Sequence, residues 1–162
     1  PPYTLRSAET EQNILRIRAS QNGNENMTVL LNKEGAVPAY KGDEDSYKLF
    51  NDASPIAVYT LSPAKDALAI NASGDFSSDV RLGVRLRQPG TVKLDFSGVN
   101  QFGHNVYLID HALKDKLIAL NATPTYTFTT DASPVNGQKV ELNERFSLHF
   151  EANATGLEEI SE

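Results

Sequence analysis

Apolar and polar residues alternate with a period of two through the middle of the chain, between residues 79 and 96. One face of this pattern carries only apolar side chains: Val80, Leu82, Val84, Leu86, Val92, Leu94 and Phe96. The alternation is broken only at residues 88–90, where the sequence Gln-Pro-Gly is typical of a turn. Because a strand points successive side chains to opposite faces, the pattern predicts an antiparallel hairpin with one buried face.

The opposite face of the predicted hairpin carries charges of both signs. Keeping both apolar runs on one face requires a loop of odd length or a bulge, which Gly90 allows. That register puts Arg85 opposite Lys93, a pair that is repulsive on its own. Asp95 would lie diagonally from both Arg81 and Arg85. Two interpretations stay open: a balanced, solvated face, or a patch in which Arg81 and Arg85 bind anionic glycans.

Short segments of similar character recur along the whole chain. They fall at residues 3–8, 14–19, 27–31, 56–61, 67–71, 106–109, 116–120, 126–130, 139–142 and 145–150. Turn signals separate them at intervals of about 8–12 residues, which is typical of sandwiches and barrels. We therefore predict an all-β fold, an antiparallel β-sandwich of jelly-roll or Greek-key type. The predicted core comprises Leu15, Ile17, Leu82, Val84, Leu94, Phe96, Tyr107, Phe128, Phe146 and Leu148.

Residues 111–120 allow two interpretations. Leu113, Leu117 and Leu120 recur at helical spacing, which favours a turn of helix. The same segment also fits a turn followed by a strand at 116–120, which is the interpretation we prefer.

The length of 162 residues suits a single domain that buries its own core without disulfides or metal. We predict a β-sandwich module over residues 1–151 and an acidic linker over residues 152–162. The chain opens Pro1-Pro2-Tyr3 without a methionine, so we expect it to be a fragment of a longer polypeptide.

Charge and composition exclude some classes of partner. The formal net charge of −6 argues against a nucleic-acid partner, because phosphate binding needs a concentrated excess of lysine and arginine. No apolar run approaches the length of about 20 residues that a spanning helix needs, so membrane insertion is not expected. The chain has no cysteine, which leaves the redox compartment undecided.

An ordered series of short strings resembles a known kind of bacterial module. The strings are Leu-Arg-Ile-Arg-Ala at 15–19, Asp-Glu-Asp-Ser-Tyr-Lys-Leu at 43–49, Leu-Ala-Ile-Asn at 68–71, Leu-Gly-Val at 82–84, Val-Tyr-Leu-Ile-Asp at 106–110, Tyr-Thr-Phe-Thr at 126–129 and Glu-Arg-Phe-Ser-Leu-His-Phe at 144–150. In this order they resemble the C-terminal β-sandwich module of large secreted or surface proteins of Bacteroidetes-type bacteria. Thr-Gly-Leu-Glu-Glu at 155–159 is similar to the linker that, in that family, precedes a type IX secretion sorting domain.

The resemblance implies export to the cell surface or the extracellular space and a structural or adhesive role. It implies as partners the other domains of a larger parent chain, together with a glycan or a host or cell-surface protein. The sorting domain itself is not in this sequence, so the implied export route depends on the linker. The alternative function is a carbohydrate-binding accessory module of a secreted glycan-degrading enzyme.

The acidic loop offers a candidate calcium site. Asp43, Glu44 and Asp45 are consecutive carboxylates in a polar segment, and Ca²⁺ prefers such oxygen ligands on flexible loops. No EF-hand spacing is present. The alternative is a solvated acidic loop in which Asp45 anchors the strand that follows. No other cofactor is expected.

Sugar binding would depend on tyrosines, because the chain has no tryptophan. Tyr40, Tyr47 and Tyr59 are the candidate platforms, since an aromatic ring can pack against the apolar face of a sugar. The alternative for each of them is packing in or near the core.

No constellation of nucleophile, base and acid is recognisable, so we predict that the module is not an enzyme. None of the three histidines, His104, His111 and His149, has the spacing of a metal-binding motif. His111 could pair with the nearby Asp115, but no activated serine or cysteine is evident beside it.

Overall fold

The structure, a computed structural model, describes residues 13–50 and 53–152. The strands are β1 (Ile14–Gln21), β2 (Asn24–Asn32), β3 (Ser46–Tyr47), β4 (Ile56–Leu61), β5 (Ala67–Ser73), β6 (Val80–Leu86), β7 (Gly90–Ser97), β8 (Asn105–Asp110), β9 (Lys116–Ala119), β10 (Thr125–Thr130) and β11 (Val140–Glu151). The helical elements in these two ranges are two 3₁₀ turns, Val99–Gln101 and His111–Leu113. The prediction of an all-β fold is confirmed. The predicted strand at 3–8 and the linker beyond residue 152 lie outside the described residues.

The strands form one curled mixed sheet in the order β10-β7-β1-β2-β5-β4-β6-β11-β8-β9, with β3 beside β5. Strands β2 and β5 run parallel, and the remaining strand pairs of the described ranges are antiparallel. Strands β4 and β5 share only the ladder positions 60–68 and 61–67 before β5 continues beside β2. We call this divergence the β4–β5 fork.

The turn between β1 and β2 follows the sequence signal directly. Gln21 pairs with Asn24, so the loop consists of Asn22 and Gly23 alone. Both loop residues have positive φ, 52° and 84°, as a type I′ turn requires. An Asn-Gly pair adopts this conformation at little cost, which explains why the hairpin forms where the turn cluster predicts it.

The predicted pairing of residues 79–86 with 91–96 is wrong. Strand β6 pairs with β4 and β11, whereas β7 pairs with β1 and β10. Asp95 accordingly lies opposite Arg18 and not beside Arg81 or Arg85. Both strands still bury their apolar faces in the same core, because alternation specifies which face is buried and carries no information about the partner strand.

Nine of the ten predicted core residues are buried. The exception is Tyr107, which is half-buried because β8 turns its neighbours Val106 and Leu108 inward instead. Tyr107 pairs with His149 across the outer face of the sheet, and their rings lie 5.9 Å apart. The prediction failed here by one residue of register, which moves a side chain from one face to the other.

The segment after β8 combines a 3₁₀ turn with a strand. The turn His111–Leu113 leads into β9, which confirms the predicted strand near 116–120 and limits the helical alternative to one short turn. Leu113 and Leu117 are about half exposed, while Leu120 is fully buried. The three leucines therefore share no common buried face.

A buried ion pair between the neighbouring strands β8 and β11 also bonds β10, which lies at the far end of the strand order. Arg145 of β11 donates from Nε and Nη2 to the two carboxylate oxygens of Asp110, at 2.9 Å each. The Tyr126 hydroxyl, from the edge strand β10, donates to Asp110 at 2.7 Å. Beside this cluster the rings of Phe128 and Phe146 lie 4.7 Å apart. We call Asp110, Arg145 and Tyr126 the clasp, because together they tie β10 to β8 and β11 across the curl.

The contacts within the clasp shift the pKa values of Asp110 and Tyr126. Burial alone would raise the pKa of Asp110, but hydrogen bonds from Arg145 and Tyr126 and the charge of Arg145 hold it below its ordinary value. Burial and the bond to Asp110 raise the pKa of Tyr126 to about 12. The carboxylate is therefore ionised and the phenol protonated at neutral pH.

Across the described residues, no helix has the length and apolar character needed to cross a membrane.

Candidate functional site

The candidate tyrosines fall into two environments. Tyr40 and Tyr47 stack on each other with ring centroids 4.0 Å apart and planes inclined by 14°. Tyr47 is about half exposed, but one face of each ring is covered by the other. Tyr59 is buried, and its hydroxyl donates to the side-chain oxygen of Asn143. The structure therefore brings two of the three predicted tyrosines together and does not include Tyr59 in an exposed aromatic row.

The two candidate arginines are each paired with a glutamate of β11. Arg81 lies 2.7 Å from Glu144, and Arg85 lies 3.5 Å from Glu141. The Arg85 guanidinium also lies 4.4 Å from the centre of the Phe50 ring. These pairs neutralise much of the positive charge that an anionic glycan would need, so the glycan patch stays a prediction.

The acidic loop uses its carboxylates in different ways. Asp45 is buried, and its two oxygens accept the backbone N–H groups of Lys41 at 2.8 Å and Ala72 at 2.7 Å. Glu44 lies 3.8 Å from the Lys33 ammonium, and Asp43 is exposed. Asp45 therefore anchors the loop to β5, and these bonds do not involve β3, the strand that directly follows it. Within residues 13–50 and 53–152 no three His, Cys, Asp or Glu side chains are gathered to hold a metal, and calcium binding stays a prediction.

A cavity that the sequence did not indicate lies beside the β4–β5 fork. Its volume is about 390 Å³, within the range of ligand pockets. Four of the residues that line it are buried and come from the end of β4, the residue after it and β5: Leu61, Ser62, Asn71 and Ser73. The lining residues come from the end of β4, the turn after it, β5 and the start of β6, so the cavity lies next to the fork, where β4 and β5 share only two ladder positions.

One wall residue has an unsatisfied polar atom. Asn71 is 3% exposed and donates its amide to the Thr60 hydroxyl at 3.1 Å. Its side-chain oxygen is buried and has no hydrogen-bond partner. A buried carbonyl oxygen without a partner costs about 1–3 kcal/mol, so a donor that reached this oxygen would be stabilising.

The rim of the cavity includes a carboxylate that is hydrogen-bonded to a histidine. Asp79 lines the rim, and its carboxylate lies 2.8 Å from Nδ1 of His149. Nε2 of the same ring lies 3.2 Å from Glu151. The bond to Asp79, opposed by partial burial and assisted by Glu151, raises the pKa of His149 above its ordinary value.

A serine missed by the sequence analysis completes a hydrogen-bonded relay. Nδ1 of His111 lies 2.6 Å from Asp115, which confirms the predicted pair, and Nε2 lies 2.9 Å from the Ser147 hydroxyl. This is the bonding order of a Ser-His-acid triad. Ser147, however, is 6% exposed and sits within β11, paired on one side with β6 and on the other with β8. No local sequence pattern could have indicated Ser147, because His111 and Ser147 are brought together only by the register between β8 and β11.

The relay has an evident structural role. It ties the 3₁₀ turn His111–Leu113 to the outer face of β11, and its three residues are not among those that line the cavity at the β4–β5 fork. A catalytic serine needs an accessible hydroxyl and donors placed for an oxyanion. The backbone of Ser147 is instead committed to the two flanking strands.

Comparison of the chain with protein families, with curated proteins and with solved structures finds no match.

Proposed function

We propose that this chain is a noncatalytic extracellular module, structural or adhesive, within a larger exported bacterial surface protein. The single observation that carries the proposal is the placement of the aromatic side chains. Seven of those in the described residues are buried: Tyr59, Phe76, Phe96, Phe102, Phe128, Phe146 and Phe150. Aromatic side chains that are buried in the core favour a rigid structural module, whereas a sugar-binding surface would expose them in a row.

The export component of the proposal rests on the ordered series of strings that resembles the Bacteroidetes-type module. The strings at 15–19, 82–84, 106–110 and 144–150 fall on β1, β6, β8 and β11, so they mark strands that build the core. A module of this kind is attached to other domains of its parent chain, which are its first expected partners.

The finer fold that we propose is a two-layer sandwich of jelly-roll or Greek-key type, made by folding the curled sheet on itself. The clasp and the 4.7 Å contact between Phe128 and Phe146 support this, because they join β10 to β11 across the core. The connection between β6 and β7 supports it too, since these consecutive strands pair with different neighbours.

A second candidate is the carbohydrate-binding accessory module, and one observation favours it. The cavity at the β4–β5 fork is large enough for a small ligand, and Asn71, whose side-chain oxygen has no partner, is one of its lining residues. The stacked pair Tyr40 and Tyr47 gives this candidate less support, because each ring covers a face of the other.

The noncatalytic component is tested with the purified chain and a fluorophosphonate probe, which labels activated serines covalently. We expect no labelling of Ser147 and no turnover of ester, peptide or glycoside substrates, because the hydroxyl is buried within the sheet. A Ser147→Ala variant and a His111→Gln variant serve as matched controls. Labelling or turnover that is lost in both variants would overturn the noncatalytic role and establish the relay as a catalytic triad.

A further inference from the structure

Three buried polar residues that line the cavity at the β4–β5 fork, Asn71, Ser62 and Ser73, carry hydrogen-bond acceptors, and we call them its floor. The Asn71 oxygen has no partner. The Ser62 hydroxyl accepts from the backbone of Asp66 at 3.0 Å and lies 3.2 Å from its carboxylate. The Ser73 hydroxyl accepts from the backbone N–H of Asp75 at 3.1 Å and donates to its carbonyl at 3.0 Å. Each hydroxyl oxygen keeps a second lone pair, so the floor is suited to a ligand that donates several hydrogen bonds.

The rim of the cavity carries charges that largely cancel. Its four charged lining residues are two of each sign, Lys65 and Arg81 against Asp75 and Asp79. The Ser77 hydroxyl already donates to Asp75 at 2.6 Å. Such a rim has no excess of either sign, so it favours a neutral ligand over a phosphate, a carboxylate or an amine.

The remaining walls are aliphatic. Leu61, Pro63 and Val80 line the cavity, and within the described ranges no aromatic side chain does. A flat aromatic ligand would therefore gain no ring stacking. A saturated ring with C–H groups on one side and hydroxyls around its edge would contact both the aliphatic wall and the acceptor-rich floor.

The volume limits the size of the ligand. About 390 Å³ corresponds to about 13 water molecules at their share of liquid volume. This is near the lower end of the range of ligand pockets, so the space suits one or two small rings.

We propose that this cavity binds a neutral monosaccharide ring through Asn71, Ser62 and Ser73, with Leu61, Pro63 and Val80 against its C–H face. The inference goes beyond the structural role and needs neither export nor a particular parent chain. Its failure would leave the noncatalytic, exported module as proposed, and failure of export would leave the sugar site untouched.

The test is a titration of the ¹⁵N-labelled chain with D-glucose, D-galactose, D-mannose and N-acetyl-D-glucosamine, followed by amide chemical shifts. We expect at least one of these sugars to give saturable shifts, with a Kd in the millimolar range, confined to residues 61–65, 71–75 and 78–81. Glucosamine and glucuronate, the cationic and anionic relatives of glucose, should bind more weakly. The absence of shifts in these segments with all four neutral sugars, or tighter binding of either charged sugar, would overturn the proposal.

Two variants locate the site. Asn71→Leu removes the unpartnered oxygen at similar volume and should weaken binding at least tenfold. Because it also removes the bond to Thr60, a second variant is needed that spares the buried wall. Ser78→Trp places a large ring at the exposed rim and should abolish binding, whereas Ser97→Trp, at an exposed position of β7, should bind as the unchanged chain does. Equal binding by Ser78→Trp and Ser97→Trp would contradict a ligand seated in this cavity.

Discussion

The clasp makes the sharpest prediction about stability. Asp110 is fully buried, and the side chain of Arg145 is only 14% exposed, so neither charge can be rehydrated if its partner is removed. We choose Arg145→Met as the perturbation. Methionine retains much of the aliphatic stem that packs near Phe128, where the guanidinium lies 4.7 Å from the ring centre. The variant therefore removes the charge with little loss of packing.

The expected cost follows from the buried geometry. Breaking a buried ion pair by removing one partner costs about 3–5 kcal/mol, because the other charge is left uncompensated. For a domain of this size each kcal/mol lowers the Tm by about 2–4 °C, so the expected fall in Tm is about 6–20 °C. The matched control is Arg18→Met. Arg18 and Glu25 form an exposed pair at 3.2 Å, and such pairs contribute about 0–1 kcal/mol.

The pH dependence of the free energy of unfolding gives a second, independent test of the clasp. The pKa of Asp110 is lowered in the folded chain, so its contribution to stability is present above the unfolded value of about 3.9 and is lost as pH falls through the lower folded value. The difference in unfolding free energy between the unchanged chain and Arg145→Met should therefore narrow on acidification below about pH 4.

Urea unfolding followed by circular dichroism, at pH 7 and at successively lower pH, measures both effects. The double variant Asp110→Asn/Arg145→Met should cost less than the sum of the two single variants, since it leaves no unpaired charge. If the free energies of unfolding of Arg145→Met and Arg18→Met differ by less than about 1 kcal/mol at pH 7, the clasp does not hold β10 to the rest of the sheet.

Three further outcomes are expected. Gly83→Ala should destabilise the chain by about 1–3 kcal/mol in thermal unfolding, because the added methyl group overlaps the ring of a buried tyrosine, whereas Gly42→Ala, with room for a methyl group, should be nearly neutral. Asp45→Ala should lower the free energy of unfolding by about 1–3 kcal/mol, and by the same amount with calcium present as with a chelator, because the carboxylate accepts hydrogen bonds from backbone N–H groups. A loss of stability seen only in the presence of calcium would show that Asp45 is a metal ligand instead. The titration midpoint of His149, measured by NMR, should lie above about 6.5 and should fall in Asp79→Asn. The pair of His149 and Asp79 should stabilise the fold below about pH 6.5, and this stabilisation should be lost as the pH rises through the pKa of His149 in the folded chain. An unchanged midpoint in Asp79→Asn would refute the pairing.

Local patterns predicted the strands well because they depend on neighbouring residues alone. The strand 56–61 matches β4 as observed, and the Asn22-Gly23 turn lies where the sequence signals it. In both cases the information lies in side-chain alternation or in the conformational preference of two residues.

The pairing of strands could not be predicted in the same way. β6 and β7 have the alternation and the short connection of a hairpin, yet each pairs elsewhere. Their apolar faces satisfy the core equally well in either arrangement, so the choice depends on the whole set of long-range contacts.

The candidate site was predicted only in fragments. Arg81 and the pair His111–Asp115 were identified, but the cavity depends on the β4–β5 fork and on Asn71, which reads in the sequence as an ordinary polar residue at a strand end. Ser147 likewise became a partner of His111 only through strand register. Sites assembled from several distant strands leave no local pattern.

The central claim is that this module is carried to the outside of the cell as part of a larger protein. The most direct measurement is labelling of intact Bacteroidetes-type cells that produce the parent protein, with an antibody raised against residues 13–152 and with external protease as a second probe. The proposal predicts labelling and cleavage on intact cells, and loss of both when type IX secretion is disabled. Detection of the module only after the cells are lysed, in cells with intact secretion, would contradict it.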